Sequence, residues 1–335
     1  MTVPRGARLV YAPSWLGDAT MSLPTLRALR RAAPEEALVV FARKGPAAIY
    51  RAEGTATHVV SSSGKFFDDR RRLRDAAPRE VWVLALSFRA ALLAALSGAK
   101  RRIGFATDHR GFLLTHRLAP PALVDHQLVD LRRLVESRGI TPDTDPPRLP
   151  LSLRDGARGA LERAGLGAVG DLILLAPGSA NPIKRWPVER FGQLAAELRR
   201  QGLVCGIAIG PGELEVAQAV SEAAGARLPV LGEDLDPAEL AGVLGHARVV
   251  VSNDSGPMHL AAAIGTPLVA LFGLTDPRLT SPTGVRYRLL DGHPSGADPQ
   301  TRHRMEIERI PVSDVVRAVE ELLSQAPPTG AGAGP

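Results

Sequence analysis

Short apolar runs alternate with segments of helical spacing along almost the whole chain. ALVVFAR (37–43), DLILLAPGS (171–179) and TPLVALFG (266–273) are each long enough for one strand and lack the polar alternation of a half-exposed one. Such runs are typical of strands that are buried on both faces of a parallel sheet. Between them, segments such as PVERFGQLAAELRRQG (187–202) repeat apolar residues every three or four positions, as amphipathic helices do. The alternation predicts an α/β protein with doubly wound parallel sheets.

A proline-rich segment, ITPDTDPPRLPLSL (140–153), interrupts this pattern and has little periodicity, so we expect a linker there. It separates a predicted N-terminal domain, residues 1–150, from a predicted C-terminal domain, residues 151–325. The last amphipathic helix, residues 311–325, could also pack back on the N-terminal domain. We expect residues 326–335, APPTGAGAGP, to be disordered because they carry no side chains that build a core.

The length of 335 residues suits two domains, and the net charge of +6 favours anionic partners such as phosphate esters, nucleic acid or an anionic membrane face. The basic residues are dispersed, apart from short clusters at residues 70–74 and 100–102, and aromatic residues make up only 4%. Nucleic-acid binding is therefore disfavoured. The single cysteine, Cys205, cannot build a disulfide framework or a cysteine metal site, and the N-terminus lacks the apolar core of a signal peptide. Both features predict a cytoplasmic protein.

One segment, VWVLALSFRAALLAALSGA (81–99), is apolar enough to raise the question of a membrane span. Arg89 lies at its centre, where a charge costs about 2.5–3.5 kcal/mol on membrane insertion. We therefore expect a buried strand followed by a helix.

Ligands of doubly wound proteins bind at the carboxyl ends of the parallel strands, so polar residues at those ends are the candidates for chemistry. In PSWLGDATMSLP (13–24), Asp18 follows the first strand, where it is either the N-cap of a helix or a general base. Ser14 and Trp15 beside it would suit the binding of a sugar.

Two further strand ends carry charged residues. The loop PGSANPIKRW (177–186) combines Ser179 and Lys184 with the start of a helix, which suits a phosphate, although an ordinary exposed lysine remains possible. After the turn GPGE, Glu213 either accepts hydrogen bonds from ribose hydroxyls or interacts with the dipole of the helix that it precedes.

The richest strand end is SNDSGPMHLAAAIG (252–265). The N–H groups of Ser255, Gly256 and Met258 at the start of a helix predict an anion site. Asp254 is unexpected beside an anion, so we predict that it accepts bonds from sugar hydroxyls or orders the turn. His259 is either a buried core residue or a phosphate contact.

With these motifs in this order, the chain resembles the ADP-heptose:lipopolysaccharide heptosyltransferases of glycosyltransferase family 9, most closely their heptosyltransferase II branch. The resemblance implies a GT-B fold, in which two Rossmann-like domains face each other across a cleft. The N-terminal domain would bind a lipid-linked acceptor, and the C-terminal domain a nucleotide-sugar. Asp18 would be the catalytic base. The implied donor-binding residues are Ser179, Lys184, Glu213, Asp254, Ser255, Gly256 and His259.

The segment RRIGFATDHRGFLLTHRL (101–118) resembles the acceptor segment of the same family. Together with the first motif, it gives four candidate acceptor-binding residues. They are Ser14, Trp15, Arg101 and Arg102.

The implied activity is inverting transfer of heptose from ADP-L-glycero-D-manno-heptose to the inner core of lipopolysaccharide, without a cofactor. We expect no metal, since no DxD-like pair is evident. The cluster at residues 100–102 is a candidate for peripheral contact with the anionic cytoplasmic leaflet of the inner membrane. The absence of a cysteine from residues 293–311 departs from many relatives and leaves the donor and acceptor open. Another nucleotide-sugar, a nucleotide-sugar epimerase and a non-catalytic binding protein are the alternatives.

Overall fold

The computed structural model describes residues 4–122, 124–167, 170–294, 296, 298 and 301–325. The chain divides into two units, the first formed by residues up to 150 with the short segments 236–238 and 278–283, and the second by the rest. Each unit contains one six-stranded parallel sheet with helices packed beside it. The predicted α/β class is therefore confirmed. The tail for which we predicted disorder, residues 326–335, lies outside the described residues.

The first sheet has the strand order β3-β2-β1-β4-β5-β6, and every neighbouring pair is parallel. Its elements, in chain order, are β1 (Arg8–Tyr11), α1 (Leu16–Met21), α2 (Leu23–Ala32), β2 (Leu38–Ala42), α3 (Lys44–Glu53), β3 (His58–Ser61), α4 (Phe66–Ala76), β4 (Glu80–Val83), α5 (Phe88–Leu96), β5 (Arg101–Phe105), β6 (His116–Leu118) and α6 (Gln127–Glu136).

The apolar segment at residues 81–99 forms most of β4 and the whole of α5, as its sequence predicts. The hydroxyl of Ser87 caps α5 by accepting the N–H of Ala90 at 3.4 Å. Arg89 in the first turn is paired with the buried carboxylate of Asp69 at 2.9 Å. Within the described ranges, no helix is both long enough and apolar enough to cross a membrane.

The second sheet has the order β12-β11-β10-β7-β8-β9 and is again parallel throughout. Its elements are α7 (Leu153–Arg163), β7 (Leu172–Ala176), α8 (Val188–Arg200), β8 (Val204–Ala208), α9 (Leu214–Ala223), β9 (Val230–Leu231), α10 (Pro237–Leu244), β10 (Val249–Asn253), α11 (Gly256–Ile264), β11 (Leu268–Phe272), α12 (Pro277–Thr280), β12 (Tyr287–Asp291) and α13 (Val312–Ser324).

The last helix, α13, belongs to the core of the second unit. Its buried side chains, among them Val315 and Val319, lie in one apolar cluster with Trp186 and Phe191. The helix contacts α8 and the strands β10, β11 and β12. Its apolar face thus packs on the second sheet.

Helices α8 and α9 lie against each other because of one small residue. A Cβ atom added to Gly192 in α8 would come within 2.4 Å of the Cβ of Ala223 in α9. No side chain larger than hydrogen fits there, so the first half of α8 packs closely against the C-terminal end of α9.

Candidate functional site

The carboxyl ends of β10, β7 and β8 form one edge of the second sheet. These three strands are neighbours in the order β10-β7-β8 and run parallel. The loops that follow them therefore open on the same edge, as strand-end loops do in doubly wound sheets. These loops and the first turn of α11 carry all the predicted donor-binding residues, so the whole set lies in one unit.

A buried asparagine fixes the position of the loop after β7. Asn253, the last residue of β10, is fully buried. Its Nδ2 donates to the carbonyl of Pro177 at 2.8 Å, and its Oδ1 accepts the N–H of Trp186 at 3.0 Å. Sequence reasoning missed this residue. An amide side chain at the end of a wholly buried strand could have identified it, because a buried polar group needs hydrogen-bond partners.

The loop itself is closed by its own side chains. Nε and Nη2 of Arg185 both donate to the carbonyl of Ser179, at 3.1 and 2.7 Å. The Ser179 hydroxyl accepts a hydrogen bond from the N–H of Asn181 at 3.3 Å. Ser179 is buried. Arg185 was not among the predicted residues. Its bonds to the Ser179 carbonyl fix the backbone of that predicted residue.

Lys184 and Asp254 form an ion pair at the centre of the site. The Lys184 Nζ lies 2.7 Å from Oδ2 of Asp254, and the Thr275 hydroxyl donates to the same oxygen at 2.7 Å. Asp254 is only 5% exposed, and Nε2 of His259 lies 4.0 Å from its Oδ1. The carboxylate that looked misplaced beside an anion site is thus the counter-charge of the lysine. Thr275, on the loop after β11, is a further residue that sequence reasoning missed.

The start of α11 differs in one detail from the predicted anion site. Ser255 is the N-cap in extended conformation, and its side chain makes no capping bond. The N–H of Met258 donates to the carbonyl of Ser255 at 3.1 Å. Because that donor is already used within the turn, the prediction that Met258 contributes to anion binding is wrong. Gly256 begins the helix, and Pro257 is its second residue.

Glu213 is held back against the loop after β7. Its Oε2 accepts the N–H of Gly210 at 2.9 Å, and its Oε1 lies 3.7 Å from Nη2 of Arg185. It precedes α9 but makes no side-chain capping bond to that helix. A Cβ atom added to Gly178 would lie 2.0 Å from its Oε2, so the carboxylate rests on the glycine backbone. The carboxylate therefore adjoins the loop of Ser179 and Lys184.

In the first unit, Asp18 lies in the first turn of α1 and is half-buried. The N-cap of that helix is Trp15, so the interpretation of Asp18 as an N-cap is wrong. The Gln127 Nε2 donates to Oδ1 of Asp18 at 3.3 Å. Gln127 begins α6, more than a hundred positions along the chain, and no sequence signal identified it. Ser14 and Trp15 precede α1 and are exposed, Trp15 by 62%.

The two candidate acceptor-binding arginines do not lie at the sheet edge where β1 ends and Asp18 follows. Arg101 and Arg102 are the first residues of β5, whereas Asp18 follows the carboxyl end of β1. The two positions lie at opposite edges of a parallel sheet. The Arg101 Nη2 lies 3.1 Å from Glu80, which also pairs with Arg8 across the strand starts.

Arg102 is also used internally. Its Nε donates to the carbonyl of Leu113 at 2.7 Å, and its Nη1 to that of Ala99 at 2.7 Å. Both arginines therefore stabilise the amino-terminal edge of the first sheet, away from the end of β1.

Within the described part of the chain, no three side chains of histidine, cysteine, aspartate or glutamate cluster so that they could hold a metal ion. The only cysteine, Cys205, lies in β8, where burial raises the pKa of its thiol to about 12.

Known proteins match this chain over most of its length. The sequence model of glycosyltransferase family 9 (heptosyltransferase) matches residues 69–308. Among curated relatives, lipopolysaccharide heptosyltransferase 2 of Salmonella typhimurium is 27% identical over 95% of this chain and 98% of its own length.

Two solved structures share the fold. The glycosyl transferase family 9 structure from Veillonella parvula superposes with a TM-score of 0.82, at 23% identity over 96% of this chain and 98% of its own. The ADP-heptose lipopolysaccharide heptosyltransferase II of Escherichia coli gives 0.80, at 22% identity over 95% and 98%. At these identities the likeness shows the fold, which is the GT-B fold of those structures.

Proposed function

The chain belongs to glycosyltransferase family 9, the heptosyltransferases, and we propose that it transfers heptose from ADP-L-glycero-D-manno-heptose to the inner core of lipopolysaccharide. Its curated relatives of near-equal length carry the name heptosyltransferase 2. The observation that carries the proposal is the convergence of a lysine, a carboxylate and a helix start on adjacent strand ends of the second sheet.

The donor half of the proposal rests on Lys184, Glu213 and the start of α11. An ammonium group has three N–H donors, so the 2.7 Å pair with Asp254 uses one and leaves the group oriented for a diphosphate. The helix start adds the positive end of the α11 dipole. Glu213, fixed by the Gly210 N–H, is suited to accept hydrogen bonds from ribose hydroxyls.

The chemical step is a single displacement with inversion. Asp18 removes the proton of an acceptor hydroxyl, whose oxygen forms a bond to the anomeric carbon of the donor sugar. The bond from that carbon to the diphosphate breaks on the opposite face, and ADP leaves with the electron pair. Lys184 and the N-terminus of α11 stabilise the negative charge that grows on the diphosphate. The hydrogen bond from Gln127 keeps the carboxylate of Asp18 oriented.

Ser14 and Trp15 lie four and three positions before Asp18 and are exposed, which supports a role in holding the acceptor sugar. Arg101 and Arg102 do not share this support, because both are engaged at the other edge of the sheet. We place the reaction on the cytoplasmic side of the inner membrane, with the protein attached peripherally.

The decisive experiment is a transfer assay that offers ADP-heptose and other nucleotide-sugars with truncated core glycolipids as acceptors. We expect transfer from ADP-heptose, with inverted configuration in the product, and the same rate after chelation of divalent metals. Incubation with the donor alone separates an epimerase, which would convert the sugar without an acceptor. ADP binding without transfer from any sugar donor would refute the proposal and identify a binding protein.

A further inference from the structure

Four large apolar side chains are exposed on the first unit, in segments that follow β3, β4 and β5. They are Leu86, Phe88, Phe112 and Phe67, which are 47%, 37%, 71% and 77% exposed. We call these four residues the aromatic rim. Single exposed apolar residues are ordinary, but three phenylalanines in one area mark an interaction surface.

Ring contacts connect the three phenylalanines of the rim, in part through the neighbouring residues Phe66 and Arg89. The rings of Phe88 and Phe112 lie 6.2 Å apart, and those of Phe66 and Phe67 lie 5.6 Å apart. Arg89 joins the two pairs, because it follows Phe88 in α5 and its guanidinium lies 5.4 Å from the centre of the Phe66 ring. Helices α4 and α5 also pack against each other.

The position of the rim in the fold is the same sheet edge as that of Asp18. Phe67 follows β3, Leu86 and Phe88 follow β4, and Phe112 follows β5. The first sheet is parallel, so the segments that carry Phe67, Leu86 and Phe88 begin at its carboxyl edge, as does the loop that follows β1 and leads to Asp18. Phe112 is brought near them by the contact of its ring with that of Phe88.

Positive charge accompanies the rim. From residue 65 to residue 74 the chain carries five cationic side chains against two carboxylates. One of the two, Asp69, is buried and neutralised by Arg89 and by the hydroxyls of Ser62 and Ser63. Lys65 and Arg71 are exposed. Exposed phenylalanines beside cations are the composition that binds the interface of an anionic bilayer.

We propose that the aromatic rim, with the cations of α4, docks this protein on the surface of an anionic lipid bilayer. The proposal rests on the proposed function, since an enzyme that modifies a glycolipid gains if its catalytic edge faces the membrane. It replaces the cluster at residues 100–102, which lies at the opposite edge of the same sheet.

The test is co-sedimentation of the full chain with vesicles of phosphatidylethanolamine, alone and with phosphatidylglycerol. We expect binding that requires phosphatidylglycerol and that falls roughly tenfold for each phenylalanine replaced in Phe67→Ala/Phe112→Ala. Leu96→Ala is the matched apolar control, because Leu96 ends α5 and is 37% exposed, like Phe88 at its start. Arg71→Glu should weaken binding several-fold more than Lys100→Glu, which makes the same charge change at the other edge.

Unchanged vesicle binding in the double variant, or an equal loss in Leu96→Ala, overturns the proposal. The double variant could instead change the sedimentation coefficient of the protein measured without vesicles and leave vesicle binding unchanged. That result would assign the rim to a contact between copies of this chain and would also overturn the proposal. ADP affinity and transfer to a soluble truncated acceptor, both measured on the double variant, should equal those of the unaltered protein. If transfer is absent from both proteins while vesicle binding behaves as expected, the proposed function fails and the docking surface stands.

Discussion

Gly178→Ala tests whether the position of Glu213 governs donor binding. The added Cβ would lie 2.0 Å from Oε2 and 2.3 Å from Cδ of Glu213, whereas ordinary contacts begin at 3.4 Å. The φ angle of Gly178 is not in the left-handed region, so alanine is compatible with the backbone at this position. The substitution therefore acts by displacing the Glu213 carboxylate by more than 1 Å.

The displacement breaks the 2.9 Å bond from the Gly210 N–H and moves the carboxylate from the place where ribose hydroxyls would meet it. A hydrogen bond to a charged group contributes about 1.5–3 kcal/mol, which corresponds to a roughly 10- to 150-fold loss of ADP affinity. Calorimetric titration with ADP measures the loss directly.

The double variant Gly178→Ala/Glu213→Ala makes the reasoning falsifiable. Once the carboxylate is absent, the new methyl group has space, so Gly178→Ala should add almost nothing to the effect of Glu213→Ala. Gly156→Ala is the control, because a Cβ atom there meets nothing within 4 Å and the residue lies in α7. If the two single effects add, or if Gly178→Ala binds ADP normally, Glu213 does not hold the donor.

The remaining predictions concern the base, the diphosphate and the buried thiol. Asp18→Asn should lower the transfer rate by about 10²–10⁴ while ADP affinity, measured by calorimetry, stays the same; near-normal turnover would exclude Asp18 as the base. Lys184→Ala should weaken ADP binding roughly 10- to 100-fold and reduce its dependence on salt, and an unchanged affinity would contradict the assigned role. Cys205, whose pKa burial raises to about 12, should resist a thiol reagent at neutral pH until the protein unfolds, and rapid labelling of the native protein would contradict its burial.

The sequence was sufficient for the fold where strands are wholly buried. β2, β7 and β11 have every residue buried and appear as uninterrupted apolar runs. The strands that were missed lack this signature. β12 reads YRLLD and is half-buried, and β6 is only three residues long at a sheet edge.

The site was predictable to the extent that parallel strands gather their carboxyl ends at one edge. That rule placed Ser179, Lys184, Glu213 and Asp254 together without any contact being known. Arg101 and Arg102 were assigned by resemblance and not by this rule, and two arginines in front of a short apolar run gave no sign that they begin a strand. Partners such as Gln127 depend on packing between segments that are distant in the chain.

The pairing of Lys184 with Asp254 changes how the site's charge should be understood. A lysine on a mobile side chain loses rotamer freedom when a ligand fixes it, and it competes with water for that ligand. Here the side chain is already held at 2.7 Å by a carboxylate that is itself fixed by Thr275. The rotamer cost is met during folding, so less of it remains for the donor to meet on binding.

The same carboxylate offsets the lysine charge before the donor arrives, which limits the attraction for simple anions. A diphosphate that also contacts the start of α11 and a ribose that reaches Glu213 gain interactions that inorganic phosphate lacks. We therefore expect the pair to favour a nucleoside diphosphate over inorganic phosphate, with Asp254, which looked unfavourable in the motif, contributing to that preference.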